Sequence, residues 1–132
     1  MSLVRRIAFK EHGDERGSLV ALEGGLDMPF EIKRIYYIYG TTPGTPRGFH
    51  AHRRLKQLFV CVSGACTVTL DNGKSRESVR LDSPTEGILL EGTLWREMSD
   101  FSEDCVLLVL ASERYDEADY IRNYDEFRNC VG

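Results

Sequence analysis

Short apolar runs alternate with turn residues along the whole chain, and this alternation predicts a protein built mainly of strands. Nine runs are rich in β-branched and aromatic residues and have the length of single strands. They cover residues 3–9, 17–23, 31–40, 56–64, 65–71, 76–82, 87–92, 94–100 and 105–113. Only "YDEFRNCVG", residues 124–132, has a helical pattern. We therefore expect an all-β fold, one antiparallel barrel or sandwich over residues 1–132 with a short C-terminal helix.

Two of these runs predict more than a strand. The segment "LDNGK", residues 70–74, contains the Asn-Gly pair that favours a two-residue type I′ hairpin turn. The segment "CVLLVLAS", residues 105–112, is apolar at both parities, whereas a strand with one solvated face would alternate. We expect this strand to be buried on both faces, either between two sheets or beneath a partner subunit.

The composition excludes several classes of partner. The 132 residues suffice for one hydrophobic core without disulfides. The formal net charge of -4 lacks the basic excess of a general nucleic-acid binder, although a local basic pocket for one anionic ligand is compatible with it. No apolar run reaches the roughly 20 residues of a membrane span, and no apolar signal segment opens the chain. We expect a cytoplasmic protein that binds neither nucleic acid nor membranes.

The four cysteines agree with a reducing compartment. Cys61, Cys66, Cys105 and Cys130 make no CxxC pair, and three of them lie in apolar strand-like runs. We expect buried, reduced thiols.

Two histidines, His50 and His52, stand one residue apart in the strand-like stretch "RGFHAH". Residues i and i+2 of a strand project from the same face, so both imidazoles point together. They could be metal ligands, an acid/base pair or ordinary polar residues. A same-face pair on the inside of a barrel can converge on one small ligand.

The spacing around this pair resembles a known motif. Gly44, His50, His52, Gln57 and Gly64 fit G-x5-H-x-H-x4-Q-x6-G, which resembles the first motif of the cupin superfamily. Gln57 stands where metal-binding cupins have glutamate. The resemblance implies a small, jelly-roll-like antiparallel β-barrel, in line with the strand pattern.

The second cupin motif supplies a further histidine ligand, and alignment of Gly87 with its start puts Arg96 at that position. Two neutral imidazoles, an amide and a fixed cation would then face the metal. An arginine repels a divalent ion and does not deprotonate, and His12 lies in an N-terminal loop. We therefore expect no metal site. Without a metal, two histidines with an ordinary pKa near 6.5 can act as acid and base.

Four segments resemble the sugar 3,4-ketoisomerases of the WxcM/FdtA type: "PRGFHAHRRLKQ", "YYIYG", "DERGSLVALE" and "DFSEDCVLLVLASERYDEADYIRNYDEF". The resemblance covers nearly the whole chain. It implies a metal-free cupin without a cofactor that acts on dTDP-4-keto-6-deoxyglucose. It also implies a homodimer, possibly with exchanged N-terminal strands. The implied activity moves the ketone from C4 to C3 through an enediol or enediolate, in deoxyaminosugar biosynthesis.

The implied chemistry assigns roles to named residues. His50 and His52 are the base and the acid, in an order that the sequence leaves open. An oxyanion needs a donor or a cation, and Arg47, Arg96, Gln57 or a tyrosine of "IYYIYG" could provide it. Strand parity groups Tyr37 with Tyr39 and puts Tyr36 on the other face; we favour Tyr37.

Three further residues are candidates for substrate binding. Arg16 and Arg47 stand beside glycines, where arginine forks could hold the diphosphate, although Arg16 could equally be a solvated charge. Trp95 could stack on the thymine or the sugar, or lie in the core. Arg96 departs from the family, which commonly has "WHEM" where this chain has "WREM"; this leaves the stereochemistry of the product open.

Two other functions compete with this interpretation. A 3,5-epimerase also removes a proton next to a keto group, but it typically uses a His-Asp dyad and a tyrosine. A non-catalytic sugar-nucleotide-binding cupin would also tolerate Gln57 and Arg96. A metal-dependent oxygenase is disfavoured by the same two residues.

Overall fold

The computed structural model describes residues 2–24 and 28–132. These residues form strands, one turn of 3₁₀ helix and one α-helix. The first strands are β1 (Arg5–Ala8), β2 (Glu11–Asp14), β3 (Gly17–Val20), β4 (Arg34–Ile38), β5 (Arg47–His52) and β6 (Gln57–Ser63). They are followed by β7 (Cys66–Asp71), β8 (Arg76–Leu81), β9 (Glu86–Leu90), β10 (Trp95–Ser99) and β11 (Val106–Ala111). The 3₁₀ turn (Glu117–Asp119), β12 (Tyr120–Ile121) and helix α1 (Tyr124–Val131) complete the order.

The strands form two five-stranded antiparallel sheets. The first has the order β1-β9-β6-β11-β4, and the second has the order β12-β5-β10-β7-β8. Apolar side chains of both sheets, among them Phe59, Leu70, Ile88 and Val109, form the core between them. The all-β, antiparallel prediction is confirmed. Strand pairing does not close the sheets into one barrel, however, because the two sheets share no hydrogen-bonded strand pair among the described residues.

Each of the nine predicted strand segments overlaps an observed strand, and the C-terminal helix forms where its pattern predicted. The histidine stretch is β5. Two further elements lack a clear apolar pattern: β2 is exposed throughout, and β12 has two residues. Strands β2 and β3 form a hairpin that pairs with neither main sheet. Among the described residues, no helix is both long and apolar enough to cross a membrane.

The hairpin at residues 72–75 confirms the predicted turn but not its type. The last β7–β8 pair joins Asp71 to Arg76, so the loop has four residues rather than two. Gly73 has a φ of 92°, whereas Asn72 does not have the positive φ that a type I′ turn requires. Instead, the Asn72 side chain accepts hydrogen bonds from the backbone N–H groups of Lys74 and Ser75, each at 2.8 Å.

Strand β11 is covered on both faces, as its apolar run predicted. Leu107 and Val109 face the core between the sheets. Leu110 packs in a second cluster on the outer face of the first sheet, where Phe9 and Phe30 contribute to the cover. The chain itself therefore buries both faces of this strand.

Candidate active site

Strand β5 presents His50 and His52 from the inner face of the second sheet. Their ring centroids lie 4.9 Å apart, with the ring planes at 85°. Tyr120 of β12 packs against both rings, with centroids 5.0 Å from His50 and 4.3 Å from His52. The same-face geometry that the i and i+2 spacing predicted is present, and β12 adds a tyrosine to it.

A β-bulge sets the position of His50. The pairing of β10 with β5 shifts between Arg96, opposite His50, and Glu97, opposite Gly48. Gly48 has a φ of 94°, and a Cβ there would lie 2.9 Å from the carbonyl oxygen of Arg96. Phe49 has a φ of 59° and turns its side chain towards solvent. This bulge therefore needs glycine at position 48, and it re-aims the strand just before the histidines.

The two histidines differ in exposure. His52 is 1% exposed, and neither of its ring nitrogens has a hydrogen-bond partner with good geometry among the described residues. His50 is only partly buried and lines an open cavity. A ligand in that cavity can reach His50 directly, whereas His52 lies behind it.

Both imidazoles are neutral at neutral pH. Burial, followed by the positive charge of Arg96, lowers the pKa of His50 to about 4. Burial, Arg96 and His50, in that order, lower the pKa of His52 to about 2. A neutral imidazole can accept a proton, so His50 is in the protonation state that a base requires over the physiological pH range.

Behind the histidines, a chain of hydrogen bonds runs from Arg96 to Tyr36. Arg96 is 1% exposed and donates to the carbonyl oxygen of Leu94, at 3.2 and 3.0 Å, and to Oε1 of Gln57. Nε2 of Gln57 then donates to Oη of Tyr36 at 3.1 Å. Arginine can only donate, so the amide oxygen must face Arg96 and the amide nitrogen must face Tyr36. The Tyr36 hydroxyl proton is therefore free to point elsewhere.

Arg96 is a buried cation without a carboxylate in ion-pair contact among the described residues. Burial lowers its pKa to about 10, so the guanidinium still carries its charge at neutral pH. An uncompensated buried charge is costly, and it favours the arrival of negative charge nearby.

The carboxylate of Asp119 lies beside the His52 ring. Its carboxylate is buried, and it accepts backbone hydrogen bonds from Arg54 at 2.8 Å and from Leu55 at 3.2 Å. Oδ2 also lies 3.3 Å from Nδ1 of His52. The Asp116 side chain caps the 3₁₀ turn that carries Asp119 by accepting from the Ala118 N–H. A carboxylate is thus fixed beside the buried imidazole.

Two cavities meet at the histidine pair. The larger, about 650 Å³, is lined by His50, Tyr36 and three arginines, Arg34, Arg47 and Arg122, and no acidic side chain among the described residues lines it. The smaller, about 500 Å³, is lined by His52 and by side chains of both charges. Arg34 and Tyr120 border both cavities.

The arginines of the larger cavity differ in their partners. Arg122 pairs with Glu117, with both contacts at 2.8 Å, and lies over the ring of Tyr120. Arg34 lies over the ring of Tyr36 at 4.8 Å, and neither Arg34 nor Arg47 has a carboxylate partner in the part of the chain that the structure describes. Two free guanidinium groups beside a neutral base suit a ligand with a diphosphate.

The structure brings together only part of the predicted site. His50, His52 and Arg47 reach the cavities, and Gln57 and Arg96 lie beneath the histidines rather than on the cavity wall.

Three other predicted residues lie elsewhere. Tyr37 is 62% exposed on the outer face of β4, and Tyr36 takes the inner position. Trp95 packs under helix α1 against Phe127, so it is a core residue. Arg16 is exposed at the tip of the β2–β3 hairpin, paired with Asp14.

Four residues of the site were not predicted from the sequence: Arg34, Asp119, Tyr120 and Arg122. Tyr36 was among the candidate tyrosines, but Tyr37 was favoured over it. Asp119, Tyr120 and Arg122 lie in the "DYIR" part of a segment that carried the family resemblance. That segment has no periodic pattern, so its contact with β5 had no local signal. Parity separates Tyr36 from Tyr37 and Tyr39, but the packing of the other sheet decides which of the two faces is buried.

The histidines do not have the partners that a catalytic metal ion needs. The Asp119 carboxylate lies beside His52, but among the described residues no three ligand atoms that include both histidines lie close enough together to share one ion. The buried positive charge of Arg96 acts on both histidines and disfavours a cation beside them. The donor set therefore does not fit zinc or iron, which prefer three imidazole, thiolate or carboxylate ligands.

A double antiparallel sheet that holds two neutral histidines beside an arginine-lined cavity defines a cupin-like protein with an acid–base site. The sequence profile of the FdtA family, described as "WxcM-like, C-terminal", matches residues 3–132, and the chain belongs to this family. The resemblance stated from the sequence is thereby confirmed.

Several relatives of known activity share the sequence and the fold. The chain is 52% identical to the TDP-4-oxo-6-deoxy-alpha-D-glucose-3,4-oxoisomerase of Aneurinibacillus thermoaerophilus over 95% of this chain and 90% of that protein. The 3,4-ketoisomerase of Helicobacter canadensis superposes with a TM-score of 0.94 at 47% identity, covering 97% and 96% of the two chains.

A mutant 3,4-ketoisomerase of Thermoanaerobacterium thermosaccharolyticum, solved with TDP-4-keto-6-deoxyglucose, superposes with a TM-score of 0.96 at 42% identity, covering 99% and 95%. Sugar epimerase structures at 18 to 20% identity share the fold alone.

Proposed function

We propose that the protein is an isomerase, a sugar 3,4-ketoisomerase that converts dTDP-4-keto-6-deoxyglucose into a dTDP-3-keto-6-deoxyhexose. One observation carries this proposal: a neutral histidine, His50, faces a cavity that also presents the Tyr36 hydroxyl and unpaired arginines. The similarity to relatives named for this activity supports it. Acid–base chemistry next to a ketone needs these three features: a base, an oxyanion donor and an anchor for the charged part of the substrate.

The larger cavity accommodates the sugar end of the substrate. Its arginines Arg34 and Arg47 would pair with the diphosphate, because guanidinium forks bind phosphate oxygens in pairs. The 4-keto sugar then lies between His50 and Tyr36. Binding energy from the nucleotide and the diphosphate thereby orients the carbons that react.

His50 is the base in this mechanism, because it is the histidine that lines the larger cavity. It accepts the proton from C3 of the sugar, and the electron pair of that bond forms the C3–C4 double bond while the ketone oxygen at C4 becomes an enediolate oxygen. The Tyr36 hydroxyl accepts from Gln57, so its own proton is free to donate a hydrogen bond to this enediolate oxygen. Burial raises the pKa of Tyr36, which keeps the hydroxyl protonated and able to donate.

The second half returns a proton to carbon. A proton is delivered to C4, and the proton of the C3 hydroxyl passes to the enediolate oxygen on C4 as the ketone forms at C3, so the substrate and the product have the same composition. We assign His52 to proton exchange with His50, since the two rings are in contact and His52 alone of the pair lines the smaller cavity. Asp119 beside Nδ1 stabilises the transient imidazolium of His52.

Arg96 has an electrostatic role in this proposal. Its charge disfavours resting protonation of both histidines, and it attracts the negative charge that develops on the enediolate. The same charge disfavours a divalent metal, so the reaction proceeds without one. Gln57 accepts from Arg96 and donates to Tyr36, so these two hydrogen bonds fix the Tyr36 hydroxyl relative to Arg96.

The test is proton NMR of the purified protein with dTDP-4-keto-6-deoxyglucose in deuterium oxide, with a chelator present. A 3-keto product that carries solvent deuterium at C4 supports the proposal, and the coupling at C4 gives the stereochemistry. Deuterium at C3 and C5 with the ketone still at C4 would identify an epimerase. Tight binding without any exchange would leave a sugar-nucleotide-binding protein.

We also propose that the protein is a homodimer that exchanges its N-terminal strands. The β2–β3 hairpin pairs with neither main sheet, and it exposes Leu19. The outer face of the edge strand β4 exposes Ile35 and Tyr37, with Tyr39 just beyond it. Light scattering after size exclusion should give twice the chain mass of 15.0 kDa, and Leu19→Asp should shift it towards the monomer. A wild-type monomer would contradict this proposal.

We place the protein in the cytoplasm. All four cysteines are free thiols, although Sγ of Cys61 and Sγ of Cys105 lie only 3.7 Å apart. Adjacent free thiols persist in a reducing compartment. Fractionation of the native host with an antibody to the protein tests this location, and recovery from an extracytoplasmic fraction would contradict it.

A further inference from the structure

Three cysteines converge in the core, away from the histidines. Cys61 lies on β6, Cys66 begins β7 and Cys105 immediately precedes β11; all three are buried and free. Gln57, beside the histidines, begins the same strand as Cys61. Cys61 follows Gln57 by four positions along the strand, which corresponds to roughly 13 Å. The three thiols, called the thiol cluster below, therefore lie far along the core from the catalytic groups.

The local fold holds the thiol cluster together. Gly64, in the turn between β6 and β7, has a φ of 66° and packs so closely on Ser102 that a Cβ would clash with its hydroxyl. Ser102 also exchanges hydrogen bonds with Ala65: the Ser102 N–H donates to the Ala65 carbonyl at 2.9 Å, and the Ala65 N–H donates to the Ser102 hydroxyl at 2.8 Å. These contacts dock the segment before Cys105 onto the turn before Cys66.

The distances within the thiol cluster suit a metal ion. The three sulfur atoms all lie within 4.8 Å of one another, and the sulfurs of Cys61 and Cys105 are 3.7 Å apart. A metal–sulfur bond of about 2.3 Å places the sulfurs about 4.0 Å apart in a trigonal site and about 3.8 Å apart in a tetrahedral one. Small side-chain shifts would therefore bring all three sulfurs into a common coordination shell.

The surroundings of the thiol cluster favour a soft ion. The side chains packed around it are apolar, including Phe101 and Leu107, and the Cys61 thiol donates to the Ser63 carbonyl at 3.1 Å. Hard cations need several oxygen ligands, whereas thiolates select soft d¹⁰ ions.

We propose that Cys61, Cys66 and Cys105 form a three-sulfur site for one soft d¹⁰ metal ion, separate from the ketoisomerase site. Binding joins the ion to the three sulfurs and releases their remaining thiol protons to solvent, without any change of oxidation state. The ion would link β6, β7 and the segment before β11, and so join the two sheets. Its role is structural, because the cluster does not border either cavity at the histidines.

The experiment is a Cd²⁺ titration of the protein with the exposed thiol removed by Cys130→Ser. Thiolate-to-cadmium charge-transfer absorption should saturate at one Cd²⁺ per chain, and Zn²⁺ but not Mg²⁺ should compete. Cadmium should raise the thermal unfolding midpoint, because it binds the folded state. Since the site is buried, Cd²⁺ is added both to the native protein and during refolding.

The matched control adds Cys66→Val, a change close in volume, to Cys130→Ser. Loss of one of three ligands should weaken Cd²⁺ binding by more than the roughly 10- to 100-fold that loss of an outer-shell partner costs. Cys61→Val is the second control should Cys66→Val fail to fold. X-ray absorption of the Cd²⁺-loaded Cys130→Ser protein, which needs no core variant, should report three sulfur neighbours.

Three results would overturn the proposal. The first is the absence of a charge-transfer band by both routes of Cd²⁺ addition. The second is a band that survives unchanged in folded Cys66→Val or Cys61→Val. The third is fewer than three sulfur neighbours by X-ray absorption. None of these results depends on ketoisomerase activity, so failure of this proposal is distinguishable from failure of the catalytic one.

Discussion

The neighbouring tyrosines Tyr36 and Tyr37 offer a sharp test of the catalytic proposal, because they differ in orientation and little else. Tyr36→Phe removes a hydroxyl that lines the cavity with His50 and accepts from Gln57 at 3.1 Å. Tyr37→Phe removes a hydroxyl from the exposed face of the same strand. The two variants have the same chemistry of substitution, so each is the control for the other.

The magnitudes follow from the contacts. Tyr36→Phe leaves the buried Nε2 of Gln57 without an acceptor, which costs about 1–3 kcal/mol of stability. It also removes one donor to the enediolate, and loss of one such donor lowers kcat by about 10²–10³-fold, or about 2.7–4 kcal/mol. Tyr37→Phe should change stability by less than about 0.5 kcal/mol and leave kcat unchanged.

The assay is the rate of formation of the 3-keto sugar by NMR, with kcat and KM determined separately. Because the donor acts on charge that develops during the reaction, kcat should fall in Tyr36→Phe while KM changes little. Urea unfolding monitors stability in the same samples. A Tyr36→Phe enzyme with wild-type kcat, or a Tyr37→Phe enzyme that is equally impaired, would refute the assignment of the oxyanion donor.

Three more outcomes are expected. His50→Asn should lower kcat by roughly 10²–10⁴-fold while calorimetric affinity for dTDP stays within a few-fold; a variant with nearly full turnover would exclude His50 as the base. The pKa of His50 near 4 means that it stays unprotonated above that pH, so kcat/KM should be flat from pH 8 to about 5 and fall as the pH drops through about 4; a fall centred near pH 6.5 would contradict the burial argument. Asp119→Asn should lose about 1–3 kcal/mol in urea unfolding, because an amide cannot accept from the Arg54 and Leu55 N–H groups with both of its polar atoms; unchanged stability would show that these contacts contribute little.

Strand pattern predicted the fold well because most strands bury one or both faces. The run at residues 105–112 is apolar at both parities, and β11 is indeed packed on both sides. The prediction of a type I′ turn after β7 was wrong. The Asn72 side chain accepts hydrogen bonds from the backbone instead of the residue adopting a positive φ. Sequence alone does not distinguish these two uses of asparagine.

The candidate site was predictable where it depended on spacing and not where it depended on distant contacts. The pairing of His50 with His52 follows from the two-residue repeat of a strand. The choice between Tyr36 and Tyr37 depends on which face of β4 is buried, and that depends on the other sheet. Trp95 was ambiguous for the same reason: helix α1 covers its face of β10, and no local pattern reveals that contact.

The short strand β12 bears on how substrate and product choice can evolve in this enzyme. Only two residue pairs join β12 to β5, yet the segment around it supplies Asp119, Tyr120 and Arg122 to the cavity walls. The large core between the sheets does not depend on these residues. Substitutions at Tyr120 and Arg122 can therefore alter which sugar fits, or how its ring is presented, while the sandwich stays stable; Asp119 is the exception, because it holds the backbone of Arg54 and Leu55. Mutations that diversify the choice of product should therefore concentrate in this segment, because it lines the cavities and contributes little to the core between the sheets.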